Sequence, residues 1–92
     1  MPTKQDWATS IVRAQVESIV IHSLPDRPNL YTAISHANGG SNYLLRVKDG
    51  FATCTCLGFT HRGYCKHAAA LYLLKPDEIL LEGLNDNTTD VT

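Results

Sequence analysis

An α+β fold is predicted by three features of the sequence. Residues 4–22 carry apolar side chains at helical steps of three and four, and the middle of the chain alternates apolar and polar residues between turn-forming clusters. Residues 54–67, Cys-Thr-Cys-Leu-Gly-Phe-Thr-His-Arg-Gly-Tyr-Cys-Lys-His, gather every cysteine of the chain and end on a histidine. At 92 residues the chain is one domain, near the lower size at which an apolar core suffices alone. The expected architecture is an N-terminal helix, a short antiparallel sheet, a knuckle between paired ligand residues, and a helix after the last of them.

Thr3, with Asp6 three residues on, is a variant of a capping box and opens the first helix. Its stripe is read as Ala8, Ile11, Val12, Val16, Ile19 and Val20. Such a stripe either covers the sheet or docks a partner or a second copy of the chain. Trp7 and the β-branched residues suit both roles. Pro25 and Pro28 then end the helix in a connector, since each disfavours helical backbone in the residue before it. Residues 30–34 read as a strand, 38–42 as a turn and 43–48 as the returning strand, with Tyr43, Leu45 and Val47 facing inward. Asp49-Gly50 is a second tight turn, which leads through Phe51, Ala52 and Thr53 to the first ligand pair. Good helix formers follow from His67 as far as Pro76, and residues 77–84 read as a further short helix that offers Ile79, Leu80 and Leu84 to the core.

Cys54 and Cys56 are separated by one residue, as are Cys65 and His67, and eight residues between the pairs allow the second to fold back on the first. Three thiolates and an imidazole make the Cys₃His set of a closed tetrahedral zinc site, with zinc–sulfur distances of about 2.3 Å. Zn²⁺ is therefore the expected cofactor. Its binding, worth about 10–16 kcal/mol in small fingers, rivals the whole stability of a domain. A helix N-terminus at Cys65 is expected to favour thiolate there. His61, within the knuckle, is read as facing solvent. With all three thiols used, none remains for a disulfide, which points to a reducing intracellular compartment, the cytoplasm or the nucleoid or nucleus.

The spacing Cys-x-Cys, eight residues, Cys-x-His resembles the SWIM zinc finger, and the likeness extends to Phe51 upstream and to Lys66-His67-Ala68-Ala69-Ala70-Leu71 downstream. It covers about residues 29–74. The division that follows is 1–28 as helix and linker, 29–84 as the finger, and 85–92 as an acidic tail expected to be disordered. The resemblance implies a module for protein and DNA interactions, since such fingers occur in transposase-related proteins, chromatin remodellers and recombination accessory factors.

The net charge of −1 hides an asymmetry. Residues 1–44 are balanced, 45–75 sum to +4 and 76–92 to −5. Arg46, Lys48, Arg62 and Lys66 are the candidate phosphate contacts, set against an ordinary solvated face. Four protein ligands leave zinc no open position for a hydrolytic water, no oriented Cys–His nucleophile pair stands out, and no deaminase motif occurs. No apolar run approaches the length of a membrane span. The expectation is a non-enzymatic zinc-binding interaction module, in accessory roles at DNA, that contacts another protein. The alternative is a small nucleic-acid binder using the basic residues beside the zinc. Expected oligomeric states are a monomer or a homodimer through the N-terminal helix.

Overall fold

The structure is a computed structural model, and residues 2–35 and 41–84 are described. Helix α1 (Lys4–Val16) is followed by strands β1 (Val20–Leu24), β2 (Arg27–Ser35), β3 (Ser41–Lys48) and β4 (Phe51–Cys54), a short helix α2 (Leu57–Arg62) and helix α3 (Lys66–Leu74). The four strands form one antiparallel meander in the order β1-β2-β3-β4. This is the expected α+β architecture. The turn read at 38–42 falls largely outside the described residues, as does the tail 85–92.

The capping box is complete. Thr3 Oγ1 accepts from the Asp6 amide at 3.1 Å, and Asp6 Oδ2 accepts from the Thr3 amide at 2.9 Å. The helix expected over 4–22 nevertheless stops at Val16. Ser18 adopts φ 52°, its amide donates to Gln15 O at 3.3 Å, and the Ile19 amide donates to Ala14 O at 3.2 Å. This is a Schellman closure with serine in the place glycine usually takes. Ile19, Val20 and Ile21, counted as helix by their spacing, instead lead into β1, the conformation their β-branched side chains favour. The buried face of α1 is also rotated from the expected stripe: Trp7, Ser10 and Ala14 are buried and Ile11 half-buried, whereas Ala8, Val12 and Val16 are exposed.

Residues 24–28, expected as a connector, make a hairpin. Leu24 pairs with Arg27 across Pro25-Asp26, and the register shifts at Ser23/Leu24. Pro28, which lacks an amide donor, falls in the unpaired stretch that this shift creates. On β3 the expected alternation holds, with Leu45 buried, Tyr43 and Val47 half-buried, and Leu44, Arg46 and Lys48 outside. Asp49 (φ 54°) and Gly50 (φ 86°) close the β3–β4 turn, both in the left-handed region that a type I′ turn requires.

Residues 77–84 form no helix. Leu80 lies beside β4 as a one-residue bridge to Phe51, donating its amide to Gly50 O at 2.6 Å and accepting from the Ala52 amide at 3.2 Å. The edge of β4 offers unpaired backbone groups, and satisfying them outweighs one more helical turn. Of the expected set, Ile79 is buried and Leu84 packs half-buried against the core, whereas Leu80 points outward and Leu81 takes the inward place.

Ala68, Ala69, Ala70 and Leu71 are all buried where α3 meets α1 and the sheet, the small side chains allowing close approach. Trp7 fills the centre of this layer at 1% exposure, with its indole in a T-shaped contact with the Tyr64 ring and its Nε1–H donating to Glu82 O at 2.6 Å. That hydrogen bond places Trp7 in the core and ties α1 to the end of the described chain.

Candidate metal centre

Each ligand residue stands where one element gives way to another. Cys54 ends β4, Cys56 is the N-cap of α2, Cys65 is the N-cap of α3, and His67 is the second residue of α3. A thiolate at an N-cap does there what a serine hydroxyl commonly does. Cys56 Sγ accepts from the Phe59 amide at 3.4 Å and Cys65 Sγ from the Ala68 amide at 3.3 Å. Helix α2 was not expected inside the knuckle. The sequence signal for it is Gly63, which closes the helix at φ 82° with its amide on Phe59 O at 2.7 Å.

The four ligand atoms lie within 4.8 Å of one another and all four residues are buried. Tetrahedral bonds of about 2.0–2.3 Å place ligand atoms about 3.5–3.8 Å apart, so this spread needs little contraction to hold zinc. His67 Nδ1 is 3.8 Å from Cys54 Sγ, and its ring lies against Tyr43 with centroids 4.4 Å apart. His67 Nε2 is buried without a hydrogen-bond partner. An imidazole so enclosed, facing three sulfurs, fits a metal ligand better than a core histidine satisfied by protein.

Without metal the three thiols share protons. Cys65 donates toward Cys54 and Cys56, which holds Cys56 down at about 4 and Cys54 at about 6 against the opposing effect of burial. Cys65 itself moves up, because the Cys54 and Cys56 sulfurs and then burial favour its protonated form. The helix N-terminus acts at Cys65 in the expected direction, the Ala68 amide pulling downward, but in the metal-free cluster the two neighbouring sulfurs outweigh it. Burial alone would lower His67, yet the Cys54 and Cys56 sulfurs beside it raise it overall. A zinc ion held by Cys54, Cys56, Cys65 and His67 would take the place of the shared protons.

His61 is exposed on α2 and is not among the four clustered residues. The candidate phosphate contacts divide between two clefts. Arg46 and Lys48 border one with Asp26 and Arg27, and Arg62 and Lys66 border another with Asp6 and Arg13. Lys66 Nζ is bound to Glu17 Oε1 at 2.5 Å, and the Arg62 guanidinium lies 5.1 Å above the Tyr64 ring. Sequence reasoning missed Glu17, Tyr43 and Tyr64 as neighbours of the centre, and no local pattern marks them.

Comparison with curated proteins and with solved structures gave no match. The family model of the SWIM zinc finger matches residues 38–76, which include all four ligands in their Cys-x-Cys, Cys-x-His order. Cys54, Cys56, Cys65 and His67 are thus gathered as a Cys₃His cluster positioned to bind a zinc ion, within a segment, residues 38–76, that matches the SWIM zinc finger.

Proposed function

We propose that this zinc-binding module is a non-catalytic adaptor whose task is to contact another protein, with accessory roles at DNA following from that partner. The observation that carries the reading is an apolar groove of about 350 Å³ bordered by Ala14, Ile19, Ile21, Ala70, Leu73 and Leu74, where the end of α1, the edge strand β1 and α3 meet. Leu74 (57% exposed) and Leu73 (38%) leave water-facing apolar surface along it. Clustered exposure of this kind suits a protein partner, or a second copy joining through α1, better than a phosphate backbone. Zinc serves as scaffold, since four protein ligands leave it no open position for substrate or water.

The alternative is nucleic-acid binding. It is weakened by the separation of Arg46 and Lys48 from Arg62 and Lys66, and by the engagement of Lys66 with Glu17. Titrating zinc-loaded protein into labelled duplex and single-stranded oligonucleotides at several salt concentrations tests the reading. The expected result is weak binding with a shallow salt dependence. A steep log–log slope, about −0.9 per neutralised phosphate on duplex, would favour the nucleic-acid alternative.

A further inference from the structure

A cleft of about 500 Å³ separates the first helix from the zinc knuckle, with Arg13 on one wall, Arg62 and Leu57 on the other, and Cys56, Cys65 and His67 at its inner end. Its two guanidinium groups are in different circumstances from the other charges nearby. Lys66 is neutralised by Glu17, and Asp6 is held by the Thr3 amide. Arg13 has no ion pair among the described residues, and Arg62 meets only the Tyr64 ring.

Arg62 is also held in place. Its guanidinium lies over Tyr64, and Nη2 comes within 3.0 Å of the point a Cβ on residue 58 would occupy. Gly58 therefore leaves the room into which the arginine folds. A guanidinium stacked on a ring keeps its N–H edge free for a planar, two-pronged acceptor, and little side-chain freedom remains to be lost on binding.

We propose that this cleft binds a carboxylate side chain of an acidic peptide segment in a partner protein, with Arg62 as the two-pronged contact and Arg13 as the second cation. The idea rests on the reading of the chain as a protein-binding module and adds the chemistry of the partner. Zn²⁺ with three thiolates and a neutral imidazole carries −1, so that centre and Asp6 together balance Arg13 and Arg62. A locally neutral cleft does not gather a polyanion, whereas pairing between one guanidinium and one carboxylate is short-ranged and survives that balance. Leu57, 74% exposed at the rim, gives an apolar neighbour of the carboxylate a place to rest.

The test uses zinc-loaded full chain and three probes: a capped heptapeptide with two aspartates flanking a leucine, its asparagine counterpart, and a heptameric oligothymidylate. The readout is the shift of backbone amide and arginine side-chain NMR signals. The aspartate peptide is expected to move the signals of Arg13, Gly58, Arg62 and Tyr64, and the asparagine peptide to leave them in place. Arg62→Lys, which keeps the charge and loses the fork, should weaken binding at least about five-fold with zinc content unchanged, as should Arg13→Ala. Gly58→Ala, which displaces the guanidinium, should act in the same direction. Equal shifts with the asparagine peptide, no response in the cleft, or tighter binding of oligothymidylate at the same signals would each overturn the proposal. Aspartate-peptide shifts confined to the apolar groove would overturn the cleft while leaving the protein-binding reading intact.

Discussion

Lys66, flanked in sequence by two zinc ligands, gives its ammonium to Glu17 at the C-terminal end of α1, forty-nine residues away along the chain. The pair joins the first helix to the start of α3 and sets a positive charge beside a centre that carries −1 with zinc. Both side chains are mostly buried, at 18% and 21% exposure. Glu17→Ala and Lys66→Ala should each cost about 1 kcal/mol, and the double variant little more than either alone, because both remove the same interaction. Urea unfolding of the four proteins measures the coupling; additive losses would show that the two residues act separately.

Trp7 joins the two ends of the described chain through its bond to Glu82 O. Trp7→Phe keeps an aromatic ring against Tyr64 but loses the N–H donor, and should cost about 1 kcal/mol beyond the lost ring area. Trp7→Ala empties the centre of the core and should cost about 3–5 kcal/mol. Denaturant midpoints followed by far-ultraviolet circular dichroism check both, and near-equal losses would mean that the hydrogen bond, rather than the ring, holds the layer.

Zinc removal and pH act on the same cluster. One zinc per chain is expected by native mass spectrometry, and Cys56→Ser should lose it. Chelation near neutral pH should unfold residues 51–74, since the knuckle buries little besides its ligands. Cys54 and Cys56, lowered from 9.0 to about 6 and about 4, favour the folded metal-free finger fully above pH 9, and that contribution falls away as pH drops through those values. His67 and Cys65 are raised, so their contributions are present below 6.5 and 9.0 respectively and are lost at higher pH. Between pH 6.5 and 9 two thiols therefore oppose one histidine. Amide spectra of the chelated chain should show more order at pH 9 than at pH 6; the reverse order would mean that thiolate pairing does not support the metal-free finger.

The metal site was legible because its information is local: two ligand pairs, each split by one residue, eight residues apart. The hairpin at Asp49-Gly50 was legible for the same reason. The end of α1 was not, because Ser18 takes a conformation that glycine would have signalled, and because Ile19 and Val20 satisfy helical spacing and strand preference alike. Its buried face was misassigned because Trp7, Ser10 and Ala14 are chosen by what α3 and Glu82 offer across the fold. Leu80 pairs with β4 for a similar reason: the unsatisfied edge lies about thirty residues upstream, beyond the reach of any window on residues 77–84.

Two glycines flank Pro2, and they are expected to differ. Gly63 (φ 82°) and Gly83 (φ 92°) both hold left-handed backbone, which costs an alanine about 1–2 kcal/mol. At Gly63 an added Cβ would meet Pro2 Cδ at 3.5 Å, an ordinary contact, so Gly63→Ala should cost that strain and little else. At Gly83 the added Cβ would run into the Pro2 carbonyl, a backbone group that cannot rotate aside. Gly83→Ala must displace the N-terminal segment, and with it Thr3 and the start of the helix that carries Trp7. Its loss should exceed that of Gly63→Ala by at least about 1 kcal/mol, with a red shift of Trp7 emission as the indole gains water. Both variants should keep their zinc, since neither residue is a ligand. Equal losses in urea, with unchanged Trp7 emission, would show that the segment at Pro2 yields without disturbing the helix.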